Sequence, residues 1–180
     1  MADLDNSLSM NHRISILLSA VLTLTPLPTL FAAEMGSKAP DCELTSIKET
    51  QNYHLQHFHG QVIYVDFWSS WCPPCAKSFP FLNELEHDLK DKGLQVIGVN
   101  LDQAPEDAKT FLTKYPANFS VVADANGKCA MNFDVKAMPA SYLIDRNGVI
   151  RHVHLGFRPG EAKELKILAE QLLAEQAEQK

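Results

Sequence analysis

The chain has 180 residues, 46% of them hydrophobic and 21% charged, with a formal net charge of −6. That length holds one domain of ordinary size with a short extra segment, and the acidic balance argues against nucleic acid as a partner. Four cysteines are too few for a disulfide-built scaffold, and a single CxxC lacks the second pair that would complete a zinc site.

At the amino end, Ile14 to Leu24 (ISILLSAVLTL) is an uncharged apolar run behind His12-Arg13 and ahead of Thr25-Pro26-Leu27-Pro28. A basic residue, a short apolar core and a breaker-rich stretch form the layout of a secretory signal. Asp3 and Asp5 are foreign to such a leader, whereas MNHRIS from Met10 suits its start. Neither Ala32 nor Ala33 completes a good small-x-small cleavage site. Left uncut, residues 14–33 would reach across a bilayer as an anchor. The segment 1–33 is therefore read as a signal peptide or membrane anchor, and 34–180 as the folded domain.

The first clear strand is Val62-Ile63-Tyr64-Val65-Asp66-Phe67, β-branched and apolar enough to be buried on both faces. A helix follows Cys72, with Pro73 in its first turn, Phe79, Leu82, Leu85 and Leu89 at helical spacing, and Lys92-Gly93 at its end. Val96 to Val99 reads as a second strand. Pro105-Glu106-Asp107 opens a second helix, with Ala108, Phe111, Leu112 and Tyr115 on one face. Phe119 to Ala123 reads as a third strand, and Asp124 to Gly127 as a turn into a short helical stretch. Asp145-Arg146-Asn147-Gly148 joins two further strands as a hairpin. From Glu161 the repeat of Leu165, Leu168, Ala169, Leu172 and Leu173 makes the last helix. The alternation implies an α/β fold, a central mixed β-sheet flanked by α-helices.

The chemistry gathers at Val65-Asp66-Phe67-Trp68-Ser69-Ser70-Trp71-Cys72-Pro73-Pro74-Cys75. A cysteine on a strand-to-helix turn sits where unpaired amides and the helix dipole favour a thiolate, the form that attacks a disulfide. Cys72 is thus the natural exposed nucleophile. Cys75, one turn on and facing inward, is the resolving thiol, and Pro73 and Pro74 stiffen the ring between them. Asp66 is an acid inside an apolar strand: either a partly solvated edge residue or a buried carboxyl with a raised pKa that takes the proton of Cys75. Its place just ahead of the CPPC turn favours the second. Pro139, in Met138-Pro139-Ala140-Ser141, cannot donate to a sheet ladder and marks a special turn.

Together VDFWSSWCPPC, Pro80 in the following helix, AMPASYLID around Pro139, and Gly156 before the last helix resemble the thioredoxin superfamily, most closely its exported TlpA/ResA type. Gly36 to Asp41 followed by Gly60-Gln61-Val62-Ile63 is similar to that group's N-terminal extension, and the segment between Val99 and Val122 to its inserted helix. The resemblance implies a thioredoxin-like fold, a cis-Pro139 beside a redox-active Cys72–Cys75 disulfide, and a substrate surface that includes Trp71, Pro73, Pro74 and Met138. It implies a protein disulfide reductase of the periplasm or outer face of the cytoplasmic membrane, acting in cytochrome maturation or disulfide repair. Its partners would be proteins with disulfides or thiols and a membrane thiol-disulfide electron donor; no cofactor or metal is called for. Asp66 where many relatives carry Asn, Met138 before the proline, Cys42 in place of a large apolar residue, and Pro rather than Glu within the CxxC all bear on substrate choice and the direction of electron flow.

Three other readings of the pair stand beside this one, of which a purely structural disulfide leaves Asp66, Pro80 and Pro139 around the pair unexplained. A disulfide-donating oxidant would use the same residues, and a Cu(I) delivery module would hold the metal on the two thiolates. Cys42 and Cys129 are expected to be small buried apolar side chains, with a structural disulfide as the less frequent outcome. His54, His57 and His59, and His152 with His154, are read as solvated histidines rather than metal ligands.

Overall fold

A computed structural model describes residues 33–47, 52–58 and 60–177. The expected signal or anchor up to Ala32 lies outside the described residues, as does His59. Among the described residues, no helix is long and apolar enough to cross a membrane.

Among the described residues, seven strands form one mixed sheet: β1 Glu43–Ser46, β2 Asn52–His54, β3 Val62–Trp68, β4 Leu94–Asn100, β5 Ser120–Ala123, β6 Ala140–Ile144 and β7 Ile150–Leu155. Their spatial order is β2-β1-β5-β4-β3-β6-β7. β3, β4 and β5 run parallel, and the other neighbours pair antiparallel. Among the described residues, four α-helices flank the sheet: α1 Pro73–Leu89, α2 Pro105–Lys114, α3 Lys128–Asn132 and α4 Ala162–Ala177.

Successive side chains of β3 point to opposite faces. Val62, Tyr64 and Trp68 join α1, α2 and α4 in one core cluster, whereas Ile63, Val65 and Phe67 join α3 and the amino-terminal segment in the other. This two-sided burial is why β3 reads as a continuous apolar run. Gly98 of β4 lies opposite Asp66 of β3. A side chain there would stand 2.8 Å from the Phe119 ring and 3.2 Å from the Trp68 indole nitrogen, so the two aromatics close over a position that only glycine leaves open.

The alternation of elements expected from Val62 onward is the observed one. β1 and β2 were not anticipated: at four and three residues, with Glu43, Thr45 and Asn52 among them, they carry too little apolar periodicity to signal a strand. Their pairing with each other and with β5 supplies what their sequence lacks.

The expectation for Cys42 and Cys129 is corrected. They form a disulfide with an S–S distance of 2.02 Å across a sequence separation of 87. β1 pairs with β5, and β5 runs through the Asp124–Gly127 turn into α3; this brings Cys42, just before β1, against Cys129. No local pattern announces that meeting.

Candidate active site

β3 ends at Trp68, and the chain turns through Ser69, Ser70 and Trp71 into α1. Cys72 is the N-cap of α1, with extended backbone angles, and Pro73 and Pro74 occupy the first helical positions, where no amide hydrogen is required. The Cys75 amide donates to Cys72 Sγ at 3.2 Å. Cys72 and Cys75 are joined in a disulfide. Cys72 is only 4% accessible, less open than expected, because the flanking turn and α2 rise around it; Cys75 is fully enclosed. Cys72 meets solvent as part of the wall of a groove of about 460 Å³, lined also by Trp71, Pro73, Phe111, Lys114 and Tyr115. Trp71 stands out at 69% exposure.

Asp66 lies on a central strand, not an edge, and is 1% accessible. Burial pushes its carboxyl up to about 7, and a hydrogen bond from Ser141 only partly offsets the shift. Ser141 Oγ donates to Asp66 Oδ1 at 2.6 Å, and Oδ2 has no hydrogen-bond partner among the described residues. Such a carboxyl can hold or release a proton near neutral pH. Asp66 also raises the Tyr64 hydroxyl, already pushed up by burial.

The Met138–Pro139 peptide is cis. Met138 packs against the cluster that contains both cysteines, and its sulfur accepts a hydrogen bond from Ser69 Oγ at 3.4 Å. The Gly156 amide donates to the Pro139 carbonyl at 2.7 Å, tying the proline turn to the end of β7. The Met138–Pro139 turn thus packs on the cluster that holds the cysteine pair and leads two residues on to Ser141, the partner of Asp66, although Asp66 and Pro139 are 73 positions apart in sequence.

The histidines belong elsewhere. His54 pairs with Asp41 at 3.2 Å, and His154 with Glu161 at 3.3 Å. His152 and His154 stack on β7 with ring centroids 6.4 Å apart.

Sequence reasoning missed two groups at the site. Ser141 shows no sign in the sequence of facing Asp66; cross-strand register puts it there. Asp102 follows β4, and its carboxylate takes hydrogen bonds from the Ser70 amide and hydroxyl at 3.0–3.2 Å. In the sequence it reads only as part of the approach to α2.

The redoxin family pattern matches residues 34–172. The chain belongs to the redoxin family. The thiol-disulfide oxidoreductase ResA of Bacillus thuringiensis subsp. konkukian is 33% identical to this redoxin over 117 residues, 65% of this chain and 67% of that one. ResA of Bacillus anthracis is 30% identical over 155 residues, 84% and 89% of the two chains. A Chlorobium tepidum structure described as a thiol:disulfide interchange protein DsbE superposes with a TM-score of 0.72 at 44% identity, covering 77% of this chain and 98% of the other. This redoxin is a thiol-disulfide oxidoreductase with a thioredoxin-like fold, similar to proteins of the TlpA/ResA type.

Proposed function

We propose that this redoxin works outside the cytoplasm as a reductant of protein disulfides. The Cys72 thiolate attacks one sulfur of a substrate disulfide, forming a mixed disulfide and releasing one substrate thiol. Cys75 then attacks Cys72 Sγ, which frees the second substrate thiol and closes the Cys72–Cys75 bond. Asp66 takes the proton that Cys75 must lose. The substrate strand lies along the Met138–Pro139 turn, with Trp71, Pro73 and Pro74 on its other side. A membrane thiol-disulfide electron donor returns two electrons to the pair, and cytochrome maturation or disulfide repair is the setting. Retention through residues 14–33, or release after cleavage, places the domain in the periplasm or at the outer face of the cytoplasmic membrane.

The observation that carries this reading is the Asp66 carboxyl, buried on the strand that leads into the CPPC turn and pushed up to about 7. A structural disulfide has no use for a proton acceptor of that kind. The Cys42–Cys129 bond supports an oxidising compartment, where such bonds persist.

The reduction potential of the Cys72/Cys75 couple tests the direction of electron flow. A value near or below about −270 mV is expected for a dedicated reductant; a value near about −120 mV would make the protein a disulfide donor and overturn the proposal.

A further inference from the structure

Asp102 is 4% accessible and is a second carboxylate buried near the redox pair. No cation pairs with it among the described residues. A buried charge is tolerated only when hydrogen bonds replace its water, and each donor here comes from a defined place. The Ser70 amide reaches both carboxylate oxygens, at 3.2 and 3.0 Å, and Ser70 Oγ donates to Oδ1 at 3.1 Å. Asn100 Nδ2 donates to Oδ2 at 2.9 Å, while the Asp102 amide returns a bond to Asn100 Oδ1 at 3.1 Å. One residue earlier, the Leu101 amide donates to the Trp68 carbonyl at 2.9 Å.

These bonds fasten the end of β4 to residues 68–70, the stretch that delivers Cys72 to the head of α1. The Cys72 amide in turn donates to the Ser69 carbonyl at 3.2 Å. Only Trp71 separates the Ser70 anchor from Cys72, so a freed turn would shift the sulfur relative to the α1 amides that favour its thiolate. The same end of β4 leads through residues 101–104 into α2, and Phe111 of α2 and Tyr115 just past its end wall the groove beside Cys72. The clamp therefore fixes the sulfur and the groove wall in one frame.

We propose that Asp102 is a positioning residue for disulfide exchange, holding the Ser70 turn so that Cys72 is presented to the incoming disulfide. The inference rests on the reading of Cys72 as the attacking thiol.

The test uses the reduced full-length protein, insulin as the disulfide substrate, and iodoacetamide labelling with peptide mapping. Asp102→Asn keeps an oxygen acceptor for the Ser70 amide, and its rate of attack on insulin is expected within about threefold of the parent; Asp102→Ala keeps none and is expected to lose about tenfold or more, since small misplacements of a reacting group carry penalties of that size. Circular dichroism and an intact Cys42–Cys129 bond establish that each variant is folded. With the position kept and a negative charge removed, Asp102→Asn is also expected to move the pH profile of Cys72 alkylation to lower pH, a readout that a purely structural role leaves in place. A folded Asp102→Ala protein that attacks at the parent rate overturns the inference. If Asp102→Ala does not fold, Ser70→Ala decides: a loss of about threefold or more supports the clamp, and the parent rate overturns it. Failure of the underlying reading looks different, because Cys75 rather than Cys72 would then be the first residue alkylated in the parent protein.

Discussion

Asp66 concentrates the chemistry in one side chain whose neighbours were chosen by the sheet. Its carboxyl rises from an ordinary 3.8 to about 7 because burial disfavours the charged form. Below about pH 4 the acid is protonated in both the folded and unfolded chains, and the folded state keeps the full benefit. Between there and pH 7 only the unfolded chain ionises, so stability falls; above pH 7 both are ionised and the loss levels off. The shift corresponds to about 4 kcal/mol. Replacing Asp66 by Asn is expected to raise stability at pH 8 by up to that amount, and to change it little at pH 4, as measured by urea unfolding of the oxidised protein. The same variant should slow resolution of a mixed disulfide more than its formation; equal slowing of both steps in stopped-flow kinetics would remove Asp66 from its proposed role. That an acid sits in β3 was legible in the sequence. Its 2.6 Å bond to Ser141 was not, because the register between β3 and β6 is a long-range choice.

Among the elements, β4 and α2 carry more of the site than their sequence suggests. Phe111 of α2 lies 4.8 Å from Trp68 and 5.0 Å from Phe79, ring centre to ring centre, so the helix packs directly behind the CPPC turn. Gly98 makes this arrangement fit, since any side chain would meet Phe119 and Trp68. Gly98→Ala is expected to cost about 1–3 kcal/mol in chemical denaturation, the usual penalty for overfilling a close-packed core. An unchanged midpoint would mean that the aromatic layer yields freely. α2 itself was readable from its proline start, early acids and apolar face. β1 and β2 were not, because three or four residues contain at most two full alternations, and the strand that anchors them, β5, lies far along the chain.

Across the whole molecule, two disulfides of opposite character share one chain. Cys72–Cys75 closes a loop of one helical turn at the head of α1, whereas Cys42–Cys129 ties the amino-terminal strands to α3 across a sequence separation of 87; both are nearly buried, and each borders a groove. Mild dithiothreitol treatment of the folded protein is expected to expose two thiols, mapping to Cys72 and Cys75, with all four appearing only after denaturation. Four thiols under native conditions would show that the second bond exchanges too. Replacing Cys42 and Cys129 by Ser is expected to lower stability by roughly 4–5 kcal/mol, the loop-closure contribution for a crosslink of this span, as read from urea unfolding.

The sequence alone determined what is local and periodic. The apolar run of β3, the helix starts at Pro73 and Pro105, the hairpin at Asp145–Gly148 and the CPPC pair each follow from a few adjacent residues obeying backbone and burial rules. Only the tertiary structure decided the pairings between distant residues: Cys42 with Cys129, Asp66 with Ser141, and Ser70 with Asp102. Those depend on strand order and register, which arise from simultaneous burial of both sheet faces, and no short stretch of sequence contains that information.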